Sequence, residues 1–332
     1  MKVAVIGAGS WGSALAIHLV RSGCQVALWA REEEVVEGIR KQRRNPLFLS
    51  EAEFPHEVVV DSDLAVARNA EAVLFVVPVQ HARSILSLLR PHLGSDTVVV
   101  SASKGIEVAT LQRMDEVVCG TLDLPRERFV ALSGPSFAAE VAAGLPAAAV
   151  LAGHDREVLR SIQQRFSTAS FRFYTSPDVI GVELAGALKN VIAIAAGMAT
   201  GLELGRNTQA AVLTRGLHEI TRLGVRLGGR EETFRGLAGM GDLVLTCSPG
   251  SPSRNRLVGE RLGRGETLAE ATAGREVAEG VPTTKAAARL ARQVGVEMPV
   301  TFAVEAILDG KLDPRSAVVA LMTRELKEEA AL

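Results

Sequence analysis

Lys2-Val3-Ala4-Val5-Ile6-Gly7-Ala8-Gly9-Ser10-Trp11-Gly12 opens the chain with the pattern that identifies its fold class. Residues 2–6 are a short apolar run of strand type. The six residues after it fit G-x-G-x-x-G. Residues 13–21 then carry helical spacing, and a second apolar run covers 25–29. A glycine string alone is a weak signal, because glycine-rich turns are common. Placed between a strand and a helix, with a second strand behind, it is the fingerprint of a dinucleotide-binding unit. Gly7 permits the tight turn, and Gly9 removes the side chain where backbone must approach a pyrophosphate. Gly12 allows close helix–strand packing, and the helix start offers free N–H groups.

Working outward, further strands are expected at 58–60, 72–77, 97–102, 129–132, 147–151 and 171–174. Helical stretches, among them 81–89 and 156–166, lie between most of them. Short buried strands alternating with helices imply βαβ units and a mainly parallel sheet covered on both faces. From Pro177 the rhythm changes. Residues 179–199, 209–227, 254–262, 283–294 and 302–308 all carry helical periodicity without a convincing strand, and Gly and Pro punctuate the joins. The expected class is α/β, with a Rossmann-like, mainly parallel sheet domain over 1–176 followed by an all-α domain over 177–332. A charged tail at 324–329 reads as a solvated helix end.

Composition narrows the function. The 332 residues are 47% hydrophobic, which excludes disorder, and 37 Lys plus Arg nearly balance 38 Asp plus Glu. Such a chain has no overall attraction for nucleic acid or anionic lipid, and 4% aromatics leave little for base stacking. Three cysteines in so long a chain exclude a disulfide scaffold and point to a reduced, cytoplasmic setting. The longest nearly uncharged apolar run, 191–202, is far short of the roughly 20 residues that a membrane span needs, so no membrane insertion is expected.

Several residues are candidates for chemistry. Arg31 follows the second strand, where an arginine pairs a 2′-phosphate and favours NADPH. Glu32-Glu33-Glu34 pulls toward NADH, or simply opens the next helix. Lys104 lies just beyond the strand at 97–102, on the sheet edge where ligands bind. Lys189 interrupts an otherwise apolar helix and must meet a negative group or bear its desolvation. A snorkelling surface lysine is the ordinary alternative, weakened by Leu188, Val191 and Ile192 around it. Ser133-Gly134-Pro135-Ser136-Phe137-Ala138 and Leu237-Ala238-Gly239-Met240-Gly241-Asp242-Leu243 look like ligand loops. Ser253-Arg254-Asn255-Arg256 suits a phosphate. The six histidines are scattered without ligand spacing, so no metal is expected, and Cys247 reads as structural. The basic run Arg40-Lys41-Gln42-Arg43-Arg44 reads as a solvated face.

Taken in order, these motifs resemble the bacterial NAD(P)-dependent glycerol-3-phosphate dehydrogenase family over nearly the whole chain. The resemblance is carried by Gly7-Ala8-Gly9-Ser10-Trp11-Gly12, Ala102-Ser103-Lys104-Gly105, Ser133-Gly134-Pro135-Ser136-Phe137-Ala138 and Ala187-Leu188-Lys189-Asn190-Val191. It continues in Gly236-Leu237-Ala238-Gly239-Met240-Gly241-Asp242-Leu243, Ser253-Arg254-Asn255-Arg256 and Glu276-Val277-Ala278-Glu279-Gly280. It implies reversible hydride transfer between NAD(P)H and dihydroxyacetone phosphate, giving sn-glycerol 3-phosphate for phospholipid synthesis.

The resemblance also implies roles. Lys189 matches the catalytic lysine, a general acid in reduction and a base in oxidation. That role requires a pKa lowered toward neutrality, which an apolar helix and Lys104 would supply. Lys104 would polarise the carbonyl and hold the substrate. Asp242 matches a carboxylate that orients Lys189 or a hydroxyl, and Gly134, Ser136, Ser253, Arg254 and Asn255 match substrate contacts. Cofactor contacts would come from Gly7, Gly9, Ser10, Trp11, Gly12, Arg31, Lys104, Ala138, Arg254, Val277 and Glu279, holding NADP(H) or NAD(H). One departure is that Ser248-Pro249-Gly250-Ser251-Pro252 puts six steps between Cys247 and Ser253, where the family usually has five. The extra residue is expected to form a loop bulge. The apolar helical half suits a homodimer. Two rival readings stay open: a 3-hydroxy-acid or ketopantoate dehydrogenase of the same build, and a regulator that senses NAD(P)H without turnover. Intact Lys104, Lys189 and Asp242 argue against the second.

Overall fold

The computed structural model describes residues 1–274, 277–326 and 328. Glu276 of the last motif, and Lys327 and Glu329 of the charged tail, lie outside the described residues. The chain forms two compact units. One comprises Met1–Lys104 with Met114–Val179, the other Gly105–Arg113 with Ile180–Leu332.

The first unit holds β1 (Lys2–Ile6), α1 (Ser10–Arg21), β2 (Gln25–Trp29), α2 (Glu33–Gln42), β3 (Arg44–Asn45), β4 (Leu49–Glu53) and β5 (Val59–Asp61). There follow β6 (Ala72–Phe75), α3 (Val79–Leu89), β7 (Val98–Ser101), α4 (Met114–Leu122), β8 (Phe129–Ser133), α5 (Ala138–Ala143), β9 (Ala147–Gly153), α6 (Arg156–Phe166) and β10 (Phe171–Ser176). Eight strands make one sheet in the order β10-β9-β8-β7-β6-β1-β2-β5, parallel except where β9 pairs antiparallel with β8. β6 is buried along its whole length, which explains why it reads as a continuous apolar run and not as an alternating one. The sequence pattern extends that strand to residue 77, but it stops at Phe75. Pro78 has no N–H for a ladder, and it caps α3 instead. β2 and β6 flank β1, so the glycine loop leaves β1 at the switch point of the sheet, where ligands bind in open α/β folds.

The basic run 40–44 is not a solvated face throughout. Arg40 donates to the Val60 carbonyl and pairs with Asp61, Arg43 donates to the Phe54 carbonyl, and Arg44 donates to the carbonyls of Ser50 and Glu51. Arg43 and Arg44 satisfy backbone acceptors around the β3–β4 hairpin and Arg40 one on β5, and the sequence pattern does not reveal the hairpin because β3 is two residues long.

The second unit is helical: α7 (Val179–Gly201), α8 (Gly205–Arg226), α9 (Glu231–Arg235), a π-helical turn over Leu237–Gly241, α10 (Asp242–Cys247), α11 (Arg254–Gly263), α12 (Leu268–Ala271), α13 (Gly280–Val294), α14 (Pro299–Leu308) and α15 (Pro314–Met322). Residues 105–113 pack here. Ile106 lies in a core with Leu184, Leu188 and Ile192, and Arg289 donates to the Val108 carbonyl. By length and composition α7 is long and apolar enough to cross a membrane, which the shorter run 191–202 does not suggest. In the fold, 89% of its apolar window is buried. A helix apolar on nearly all sides is what a central core position requires. The buried carboxylate of Glu219 on α8 accepts from the N–H groups of Val300 and Thr301, capping α14 from another helix.

Candidate active site

In the first unit the glycine loop has the geometry of a phosphate cradle. Gly7 sits at φ +113°, and a Cβ there would stand 2.6 Å from the Val76 carbonyl oxygen. A Cβ on Gly12 would overlap the Gly7 carbonyl, whereas one on Gly9 would meet nothing within 4 Å. The loop is therefore closed against its own unit at Gly7 and Gly12 and open at Gly9. No side chain caps α1, and its first turn carries no acidic residue, so its N-terminal partial charge stays available for an anion. These residues fit a dinucleotide pyrophosphate. Trp11 turns inward, its ring 6.5 Å from that of Phe171. Its indole Nε1 is buried and has no hydrogen-bond partner among the described residues.

The other candidates of this unit lie along the same strand ends. Lys104 follows β7, and its Nζ is 3.5 Å from the Gly134 carbonyl, at the lax limit for a hydrogen bond. Ser136 Oγ donates to that same carbonyl at 3.0 Å. Gly134, at φ +149°, would drive a Cβ into Ala149, 2.8 Å away. Ala138 begins α5, which has no side-chain cap. Arg31 is exposed and donates through Nε and Nη2 to Glu32 Oε1 at 3.0 and 2.6 Å. Glu32 thus partners the arginine that a 2′-phosphate would need.

In the second unit Lys189 is buried, and its Nζ donates to Asp242 Oδ1 at 2.5 Å and to Thr246 Oγ1 at 2.7 Å. The side chains of the ion pair are 9% and 2% exposed. Lys189 is therefore not a snorkelling lysine: α7 brings it in, and α10 meets it with a carboxylate. Thr246 stands four residues after Asp242, one helical turn along the same face. That D-x-x-x-T spacing is the signal that would have found it. The segment 237–243 is helical and not an open loop. A Cβ on Gly239 would overlap the backbone of Phe234, so at least this glycine serves close packing.

Ser253-Arg254-Asn255 begins α11. Ser253 caps that helix, its Oγ accepting from the Arg256 N–H. Asn255 is buried, donating to Asn190 Oδ1 at 2.9 Å and accepting from the Gly280 N–H at 2.8 Å. Arg254 is half-buried on the wall of a cavity of ≈ 460 Å³ whose lining includes Arg261, Arg264 and Ala278. Val277 is exposed and Glu279 half-buried, just before α13. Before Ser253 the chain turns at Gly250, φ +79°, and Arg256 Nε holds the Ser251 carbonyl at 3.1 Å.

Four glycines fix how α11 meets α7. A Cβ on Gly197 or Gly201 would overlap the carbonyl of Arg256 or Glu260. One on Gly259 would overlap the Ile194 carbonyl, and one on Gly263 would come 2.5 Å from that of Met198. The two backbones touch along this seam, and the Asn190–Asn255 hydrogen bond closes its end next to Lys189.

Comparison with known proteins gives the arrangement a family. Sequence models of the NAD-dependent glycerol-3-phosphate dehydrogenase N-terminus and C-terminus match residues 2–159 and 178–319. A glycerol-3-phosphate dehydrogenase of Koribacter versatilis, named for NAD(P)+, is 53% identical over 337 aligned positions, covering 100% of this chain and 99% of that one. One from Geobacter sulfurreducens is 51% identical, covering 99% and 98%. The crystal structure of glycerol-3-phosphate dehydrogenase from Coxiella burnetii superposes with a TM-score of 0.92 at 39% identity, covering 97% and 99%. The chain belongs to the NAD-dependent glycerol-3-phosphate dehydrogenase family.

Proposed function

We propose that the chain catalyses reversible hydride transfer between NAD(P)H and dihydroxyacetone phosphate, giving sn-glycerol 3-phosphate for glycerophospholipid synthesis. The buried Lys189–Asp242–Thr246 group carries this reading. When bound, the dinucleotide supplies the hydride.

Gly7, Gly9, Ser10, Trp11, Gly12, Arg31, Ala138, Val277 and Glu279 hold the dinucleotide, with residues 1–176 acting as the dinucleotide-binding domain. Residues 177–332 form the substrate domain. Lys189 gives a proton to the ketone oxygen in reduction and takes it back in oxidation. Asp242 and Thr246 hold the ammonium in one place. Lys104 polarises the carbonyl and contributes to both the substrate and the dinucleotide sites. Gly134, Ser136, Ser253 and Asn255 shape the substrate site. Arg254 supplies a fixed cation for the phosphate monoester and the cofactor. The protein works in the cytoplasm, as a homodimer and without membrane insertion. The burial of α7 in the fold supports the last point.

The test is oxidation of NADPH and of NADH by the purified protein, with dihydroxyacetone phosphate added last. Loss of reduced-nicotinamide absorbance that begins on that addition is expected. Absence of turnover with dihydroxyacetone phosphate, together with reduction of a 2-keto acid, would withdraw the substrate.

A further inference from the structure

Asn45 belongs to neither the glycine motif nor any other candidate set, yet it is fully buried beside the glycine loop. Its Nδ2 donates to the Ala8 carbonyl at 2.8 Å and to Ser13 Oγ at 2.9 Å. Its Oδ1 accepts from the N–H groups of Leu47 and Phe48 at 3.2 and 3.1 Å. A carbonyl on one side and two N–H groups on the other leave one orientation for this amide. Ser13 Oγ, itself buried, also points at the Ala8 carbonyl, at 3.3 Å.

Ala8 lies between the two glycines that shape the cradle. The Ala8–Gly9 peptide is planar and trans, so its C=O and N–H point in opposite directions. With the carbonyl held by Asn45 and Ser13, the Gly9 N–H is turned the other way. Among the described residues it has no acceptor, and a Cβ on Gly9 would face open space. We propose that Asn45 is a positioning residue for the dinucleotide: by fixing the Ala8 carbonyl it aims the Gly9 N–H at the pyrophosphate. The proposal rests on the dinucleotide reading above and adds the group that preorganises the cradle. Without that anchor the peptide can rotate, and the donor must be ordered each time the cofactor binds.

Asn45→Asp removes the donor that holds the Ala8 carbonyl. It keeps the acceptor for Leu47 and Phe48 but faces the Ala8 carbonyl with an oxygen. The expected result, by fluorescence titration, is a dissociation constant for NADPH raised about tenfold or more, the size of one lost buried donor. The kcat at saturating dinucleotide and the KM for dihydroxyacetone phosphate should stay within about threefold, a split that mere loss of folded protein does not produce. A folded variant that binds NADPH as tightly as the wild type overturns the proposal. So does a loss confined to kcat or to the ketone KM. If Asn45→Asp does not fold, Ser13→Ala decides, with a dissociation constant raised about threefold in support and an unchanged one against. A wild-type protein that binds neither NADPH nor NADH overturns the proposed function instead.

Discussion

Lys189 Nζ on α7 and Asp242 Oδ1 on α10 stand 2.5 Å apart, with almost no solvent reaching either side chain. A single buried charge is costly to desolvate, and a pair with a third hydrogen-bonding group is tolerable. The pair therefore ties the placement of Lys189 to the stability of the second unit.

Lys189→Ala should lower turnover by about a hundred- to ten-thousandfold, the usual loss for a removed general acid. Binding of NADPH should survive, because the glycine loop belongs to the other unit. Asp242→Ala should both slow turnover and destabilise the protein by about 3–5 kcal/mol, since it strands a buried ammonium. Single-turnover kinetics and denaturant unfolding check the two effects separately.

The α7–α11 seam predicts opposite signs for two glycine substitutions. Alanine is the better helix former by about 1 kcal/mol. At Gly259 that gain is lost to overlap, because the new Cβ meets the Ile194 backbone, with its carbonyl carbon 2.8 Å away. Gly259→Ala should cost about 1–3 kcal/mol net and raise the KM for dihydroxyacetone phosphate, because α11 carries Ser253, Arg254 and Asn255. Gly120 in α4 has nothing within 4 Å of its ideal Cβ, so Gly120→Ala should be neutral or stabilising by up to about 1 kcal/mol. Equal effects at the two sites would contradict the seam.

His18 predicts a pH dependence. Burial is the largest influence and pushes its pKa below the ordinary 6.5, while its Nε2 stands 2.7 Å from the Phe166 carbonyl oxygen. The unfolded chain then binds a proton that the folded chain refuses. Stability is fully present above 6.5 and falls as the pH drops from there toward the lowered folded value. The slope is at most about 1.4 kcal/mol per pH unit for one proton. His18→Gln, which can still donate to Phe166, should remove that part of the slope in denaturant titrations across this window.

Cys247 lies in the core of the second unit, where burial pushes its thiol up to about 12. It should resist thiol reagents in the native protein at mildly alkaline pH and react only after unfolding. Cys119 is the one cysteine with intermediate exposure. Peptide mapping after brief labelling should find the label there and not at Cys247.

The features legible in the amino-acid order alone are those that repeat at short range. The run 2–12 specifies strand, turn and helix within a few residues of one another, and β1 and β2 have the bounds that the apolar runs suggest. In the helical half the long helices α7, α8, α11, α13 and α14 are legible because several turns of apolar periodicity are a local pattern, whereas the short α9, α10, α12 and α15 are not, having too few turns to show a period. Lys189 also stood out, as a charge where the pattern wants none. Its partners did not, since Asp242 is 53 residues further along and only the packing of α10 on α7 brings it there. The same holds for Asn45, a polar residue in a short hairpin that becomes the anchor of a loop 37 residues earlier in the chain. It holds for Arg43 and Arg44, whose carbonyl acceptors come into reach only once the hairpin has formed. Periodicity encodes which face of an element is buried. Which distant polar groups meet there is decided by tertiary packing, because hydrogen-bond partners need proximity in space and leave no period in the chain.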